Sequence, residues 1–154
     1  MNDEDYMRLA IEKAREGVRH GQLPFGACIV KDGKVVGCAH NTILRDKNLT
    51  AHAEINTIHE ACHVFDSLDL SGCTIYCTCE PCPMCLGALG LANIDRIVYG
   101  ARISDVKMDG YVVLDTPGEL FSIIGDGKIS ARGNVLKEEN LVLFREWEKD
   151  NIKK

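Results

Sequence analysis

The chain has 154 residues, 45% of them apolar and 27% charged, a balance that suits a folded domain with a real core and excludes a disordered or low-complexity chain. Its formal net charge is −5, with 23 acidic against 18 basic side chains, which weighs against a surface built to track a polynucleotide backbone. No run approaches the roughly 20 apolar residues of a membrane span, and eight cysteines behind an acidic N-terminus point to a reducing, cytoplasmic setting and metal chemistry rather than disulfides.

In chain order, Met7, Ala10, Ile11, Ala14 and Val18 recur at helical spacing, which predicts a helix from Asp3 to His20, capped by Asn2 or Asp3 and stopped at Gly21. Pro24 to Val30 and Val35 to His40 are apolar runs joined by Lys31-Asp-Gly-Lys34, a hairpin signal. Asn41 stands where the second strand ends. Arg45 to Asn48 reads as a polar loop. Thr50 reads as the cap of a helix whose buried stripe is Ala51, Ile55, Ile58, Cys62 and Phe65, with His59 and His63 on its solvated face. Cys28, Cys38, Cys62 and Cys73 fall on apolar stripes and read as small core residues.

Thr74 to Thr78 alternates as a strand, Pro83 to Ala92 predicts a short helix, and Ile97 to Gly100 predicts another strand. Ala101 to Gly127 is rich in turn residues, with a short helix near Glu119 to Ile124; an irregular segment after a strand suits a lid or substrate wall. Lys128 to Ala131 and Leu136 to Asp150 predict a last strand and a last helix. A hairpin followed by alternating strands and helices implies an α/β fold: a three-layer α/β/α arrangement, with a mixed five-stranded sheet and helices on both faces. Without linkers or repeats, residues 1–154 read as one domain.

The chemistry concentrates in Cys77-Thr-Cys-Glu-Pro-Cys-Pro-Met-Cys85 and Thr50-Ala-His-Ala-Glu54. Cys82 and Cys85, three apart beside Pro83, suit the first turn of a helix. His52 adds an imidazole, and one imidazole with two thiolates is a three-donor tetrahedral zinc site whose fourth position stays open for catalysis. Glu54 need not bind the metal; a carboxylate beside an activated water is placed to move its protons. The competing readings are a four-thiolate structural zinc knot of Cys77, Cys79, Cys82 and Cys85 and an iron–sulfur motif of Cys79, Cys82 and Cys85 that lacks a fourth cysteine followed by proline. The strand pattern around Cys77 and the unexplained His-Ala-Glu argue against them, while Cys79 stays open as an extra or exchangeable ligand.

His-Ala-Glu followed by Pro-Cys-Pro-Met-Cys resembles the zinc-dependent nucleobase and nucleoside deaminases. Within them, Pro24-Phe-Gly-Ala27 and Cys79 to Ala88 are most similar to the small guanine deaminases. The resemblance implies a cytidine-deaminase-like fold, Zn2+ on His52, Cys82 and Cys85, and Glu54 as proton shuttle. It further implies substrate contacts from Asn41, the backbone N–H of Ala53 and the backbone carbonyl of Glu80, with Phe25 against the ring. It implies a homodimer acting on a free base or nucleoside, guanine first. Leu91 and Val113 stand where guanine deaminases commonly carry an aromatic and an acid. That departure keeps cytosine-like and triazine-like rings in play, with Asp105 or Asp109 as substitute acids. The alternatives are editing of adenosine in tRNA and, outside enzymes, a zinc-stabilised interaction module.

Overall fold

The computed structural model describes residues 1–106, 108 and 110–152. Asp109 and the Lys153–Lys154 pair therefore lie outside the described residues. Helix α1 spans Asp3–Arg19. Its Asn2 side chain accepts from Asp5 N at 3.0 Å while the Asp5 carboxylate accepts from Asn2 N at 2.9 Å, a reciprocal cap that occupies two N–H groups the helix cannot satisfy itself.

Strands β1 (Gly26–Lys31) and β2 (Lys34–His40) form the expected hairpin. Asp32 and Gly33 take φ of 49° and 76°, the left-handed pair that matches the twist of a tight hairpin. Then come α2 (Ile43–Asp46), α3 (Ala53–Phe65), β3 (Thr74–Cys79), α4 (Pro83–Leu91), β4 (Arg96–Ala101), α5 (Gly118–Ile123), β5 (Ser130–Arg132) and α6 (Lys137–Ile152). The strand order is β2-β1-β3-β4-β5. β1 pairs antiparallel with β2 and β3, and β3, β4 and β5 run parallel.

The period of two along each strand divides the core into layers. Ala27, Ile29, Ile75, Cys77 and Ile97 pack with Ala53 and Ala61 of α3 and Leu86 and Leu89 of α4. Cys28, Val30, Tyr76 and Val98 point the other way and pack with Tyr6, Met7, Ala10 and Ile11 of α1. α6 lies beside α1 and against β4. This is the expected mixed five-stranded sheet with helices on both faces. A third cluster closes the end at which β3 and β4 finish, where Cys79, Ala101, Ile103 and Met108 meet Phe144 and Trp147 of α6. Among the described residues, no helix is long and apolar enough to cross a membrane.

Four expectations need correction. Cys28 and Cys38 are not separate core thiols: the hairpin register places them directly opposite, with Cα atoms 4.1 Å apart, and their sulfurs are joined. Part of the expected 45–48 loop is helical, because α2 begins at Ile43 with Asn41 Oδ1 accepting from Ile43 N at 3.1 Å. Thr50 caps nothing, since its hydroxyl and backbone N–H both bond Asn48 Oδ1, at 2.7 and 3.0 Å. The deepest face of α3 is Ala53, Glu54, Thr57 and Ala61, one position round from the expected stripe; small residues let the helix close on the sheet and bring a carboxyl inward. As expected, His59 and His63 are exposed.

Candidate active site

Two helix starts converge where the strands of the sheet end. His52 is the residue before α3 and Cys82 the residue before α4, both extended, with φ −68° and −67°. Neither side chain caps its own helix, so both are free to point elsewhere. Pro83 opens α4 with a fixed φ and no orphaned N–H, and Cys85 follows one turn in. The positive ends of both helices face the site, an environment that favours thiolates and developing negative charge.

His52 Nδ1 lies 3.8 Å from Cys82 Sγ and 3.5 Å from Cys85 Sγ. Tetrahedral zinc, with bonds of about 2.0–2.3 Å, separates its donors by about 3.5–3.8 Å. The imidazole nitrogen thus already stands from each sulfur at the spacing the ion demands, the three donors lie within 4.8 Å of one another, and their chemistry, one nitrogen and two sulfurs, is that of zinc. Cys82 is pulled down to about 4, first by a hydrogen bond from Cys85 and then by His52, whereas Cys85 is pushed far up by the same hydrogen bond and by burial. His52 is raised, chiefly by its contact with Cys82.

Glu54 is 7% exposed, and its Oε2 is 3.6 Å from Cys85 Sγ, beside the position the three donors define. Burial raises its carboxyl above the usual range. Cys77 is buried in the core between sheet and helices, which removes it from any four-sulfur knot. Cys79 borders the same cavity as the donors but is not among the three that converge.

A cavity of about 520 Å³ opens beside these groups. His52, Glu54, Cys79, Glu80 and Cys82 line one side, and Phe25 and Asn41 come from the hairpin. Asn41 is almost wholly buried; its backbone N–H donates to Phe25 O at 3.0 Å, and Ile43 N holds its Oδ1. Its amide nitrogen has no partner among the described residues. Phe25 is backed by Phe144 of α6, ring centroids 5.3 Å apart. Ala53 is the first residue of α3, so its N–H has no carbonyl within the helix. Glu80 donates from its backbone N to Ala101 O and accepts at Oε1 from Ile103 N, and among the described residues its carbonyl oxygen has no partner.

All eight residues singled out from sequence therefore meet around one site. Asp105 does not join them: it pairs with Lys137 at 3.2 Å and accepts from Arg102 N. Leu91 is 87% exposed and outside the cavity, whereas Val113 lines it. Sequence reasoning missed Leu23, Leu49, Met84 and Ile103 as wall residues: Leu23 and Leu49 are isolated apolar residues in loops, which carry no period, and Met84 and Ile103 sit in the first turn of a helix and of a 3-10 turn, whose facing only the fold decides. Tyr111 to Leu114 lie in the irregular stretch expected to form a wall, and they do. Trp147 of α6 supports Tyr111 edge-on at 6.0 Å.

Comparison with known proteins agrees with this geometry. Residues 1–101 match the family described as the cytidine and deoxycytidylate deaminase zinc-binding region. A guanine deaminase of Bacillus subtilis is 40% identical over 126 residues, covering 77% of this chain and 81% of that protein. A tRNA-specific adenosine deaminase of Aquifex aeolicus is 39% identical over 121 residues, covering 76% and 79%. The structure of a guanine deaminase from Nitrosomonas europaea superposes with a TM-score of 0.87 at 25% identity, covering 95% of this chain and 84% of that one. A histidine and two cysteines at zinc spacing, a mixed five-stranded sheet that presents them on two helix starts, and a match over residues 1–101 lead to one conclusion: the chain belongs to the cytidine and deoxycytidylate deaminase zinc-binding family.

Proposed function

We propose that this chain is a hydrolytic deaminase of a free aminated heterocyclic base, with guanine the first substrate to test. The observation that carries the reading is the cavity wall: among the described residues it holds no lysine and no arginine. Leu23, Phe25, Ile103, Met108 and Val113 offer apolar surface to a flat ring, and Asn41 and Glu80 offer polar atoms at its edge. A folded RNA is held through its phosphates, and that requires cations.

Zinc, which His52, Cys82 and Cys85 would hold, would supply Lewis-acid activation of a water, lowering its pKa from about 15.7 toward roughly 7. Glu54 would take a proton from the attacking water as the water oxygen bonds the amino-bearing ring carbon. The carboxyl passes this proton to the adjacent ring nitrogen, then carries the second water proton from the new hydroxyl to the amine; the C–N bond breaks as the C=O forms, giving the oxo base and ammonia. Burial raises the proton affinity of Glu54 and suits a group that must hold a proton between the two transfers. Asn41 Nδ2 donates to a ring acceptor, its orientation set by Ile43 N. The Ala53 N–H donates to an oxygen or ring nitrogen carrying developing charge, and the Glu80 carbonyl accepts from the leaving amine.

We also propose a homodimer. Leu49, Val112 and Leu114 border the cavity yet are 85%, 91% and 55% exposed, apolar surface at the mouth of a site that a second copy would cover.

The test is ammonia release across guanine, cytosine, cytidine, adenosine and an aminotriazine, alongside inosine formation in a tRNA anticodon stem-loop. The expected result is turnover of a free base or nucleoside. The 39% identity to a tRNA-specific adenosine deaminase supports the second reading. Inosine formed in the stem-loop with no free base or nucleoside turned over would establish that reading and overturn ours.

A further inference from the structure

A second set of metal donors stands away from the cysteines. Glu16 and His20 are one turn apart at the end of α1, and His40 closes β2. One donor atom from each lies within 4.8 Å of the other two. Two imidazoles and a carboxylate form a recurrent donor set for divalent transition metals, with positions left for water.

The three side chains are held by specific contacts. The His40 ring lies over Gly17 so closely that a Cβ there would meet its Cγ at 2.7 Å and its Nδ1 at 2.9 Å. Only glycine at that position admits the ring. His40 Nδ1 is 2.8 Å from the backbone oxygen of Asn41. A carbonyl can only accept, so Nδ1 carries the hydrogen and Nε2 is left as the lone-pair donor. An N–H to carbonyl bond behind the coordinating nitrogen is how metal-binding histidines are commonly oriented. The His20 backbone N–H bonds the carbonyls of Glu16 and Gly17, at 3.2 and 3.0 Å, which fixes the helix end from which its ring projects. The two histidine rings lie 28° from parallel with centroids 6.3 Å apart. Glu16 uses Oε2 for Lys13 Nζ at 3.0 Å and keeps Oε1.

We propose that Glu16, His20 and His40 form a second site for a divalent transition metal, distinct from the cysteine-bound zinc. Imidazole-rich donors favour Ni2+, Cu2+ and Zn2+ over Mg2+ or Ca2+. An ion there ties the end of α1 to the strand end that carries Asn41, so the site bears on the cavity wall from outside.

Equilibrium dialysis of the zinc-loaded chain against micromolar NiCl2, with both metals counted by elemental analysis, tests the proposal. The wild type is expected to keep its zinc and take up one Ni2+ per chain. H20Q and E16Q are expected to keep the zinc and lose Ni2+ affinity by about tenfold or more. Both positions lie at the surface, and circular dichroism verifies their fold. His59 and His63 are exposed one turn apart on α3 and form an alternative pair, so H63Q is the control and is expected to bind Ni2+ as the wild type does. Nickel uptake matched by zinc loss, uptake abolished by H63Q, uptake unchanged in H20Q and E16Q, or no uptake by the wild type would each overturn it.

Discussion

Glu54 is buried, forms no salt bridge among the described residues and lies 3.6 Å from Cys85 Sγ, a position that suits the proton transfer proposed for it. Glu54→Gln keeps its size and removes the shuttle. The variant is expected to retain one zinc and an unchanged fold, and to lose about 10²–10⁴-fold in turnover. Stopped-time ammonia assays with metal analysis check both halves, and near wild-type turnover would refute the assignment. The cysteines divide in a parallel way. Cys82→Ser is expected to lose zinc together with thermal stability, because binding and folding are coupled. Cys79→Ser is expected to keep stoichiometric zinc, since Cys79 stands outside the converging donors. Zinc lost from both variants would mean that Cys79 is a ligand. His52, Cys82, Cys85 and Glu54 were legible because residue type and spacing encode their chemistry. Leu23 and Leu49 were not, because nothing local marks a loop leucine as a wall.

Elements are joined by a few contacts on which their placement depends. Asp3 opens α1, and its carboxylate accepts from Arg96 at 2.8 and 2.7 Å, from Arg132 at 2.7 Å and from Tyr76 OH at 2.9 Å. One side chain thus ties the first helix to β3, β4 and β5. The Arg96 guanidinium, more than any other group, holds the Asp3 carboxyl well below the usual carboxylate range, and burial pushes Tyr76 up to about 12. A depressed native pKa stabilises the fold fully above the unfolded value of about 3.9 and loses that contribution as pH falls through the native one. Asp3→Asn is therefore expected to cost about 1.5–3 kcal/mol near neutral pH. The gap to the wild type should narrow in acid, below about pH 4. Urea midpoints of both proteins between neutral and acid pH measure this, and a gap that widens in acid would contradict it. Gly26 shows a different dependence. A Cβ there would strike the Ala10 carbonyl oxygen and approach Ala14 N to 2.7 Å, so α1 rests directly on the β1 backbone. Gly26→Ala is expected to destabilise by about 1–3 kcal/mol, read as a lower unfolding midpoint.

At the scale of the whole molecule, the cavity mouth and the charge balance govern what can enter. The proposed small substrate is supported by the net charge of −5 and by a last helix that mixes Glu138, Glu139, Glu146 and Glu148 with Lys137, Arg145 and Lys149. Turnover of the best small substrate is accordingly expected to change little between low and moderate salt, and excess tRNA is expected not to compete. Strong inhibition by tRNA that weakens with salt would point to the editing reading. Light scattering of the zinc-loaded protein is expected to give about twice 17.0 kDa, and a fully active monomer at 17.0 kDa would refute the proposed dimer.

The sequence by itself determined the α/β layering, because periods of two and of 3.6 report which face of each element is buried. It also determined the metal chemistry, because an imidazole and paired thiolates with an acid nearby have few other uses. It did not disclose the Cys28–Cys38 pairing, since opposition across a hairpin depends on register, and a shift between Ile29 and Val30 that leaves Val36 unpaired is what brings Cys28 opposite Cys38. It placed the cap of α3 at Thr50, whereas the converging site turned His52 into the first non-helical residue and left Thr50 to bind Asn48. It left Asp105 open as an acid, and a partner 32 positions away, Lys137, engages that carboxylate instead. Glu16 in the last turn of α1 and His20 just after it are close in sequence, but His40 reaches them only because the hairpin folds back over Gly17. Local pattern carries information about faces and spacing; which faces meet is decided only when the layers close, because each contact then depends on the placement of every other.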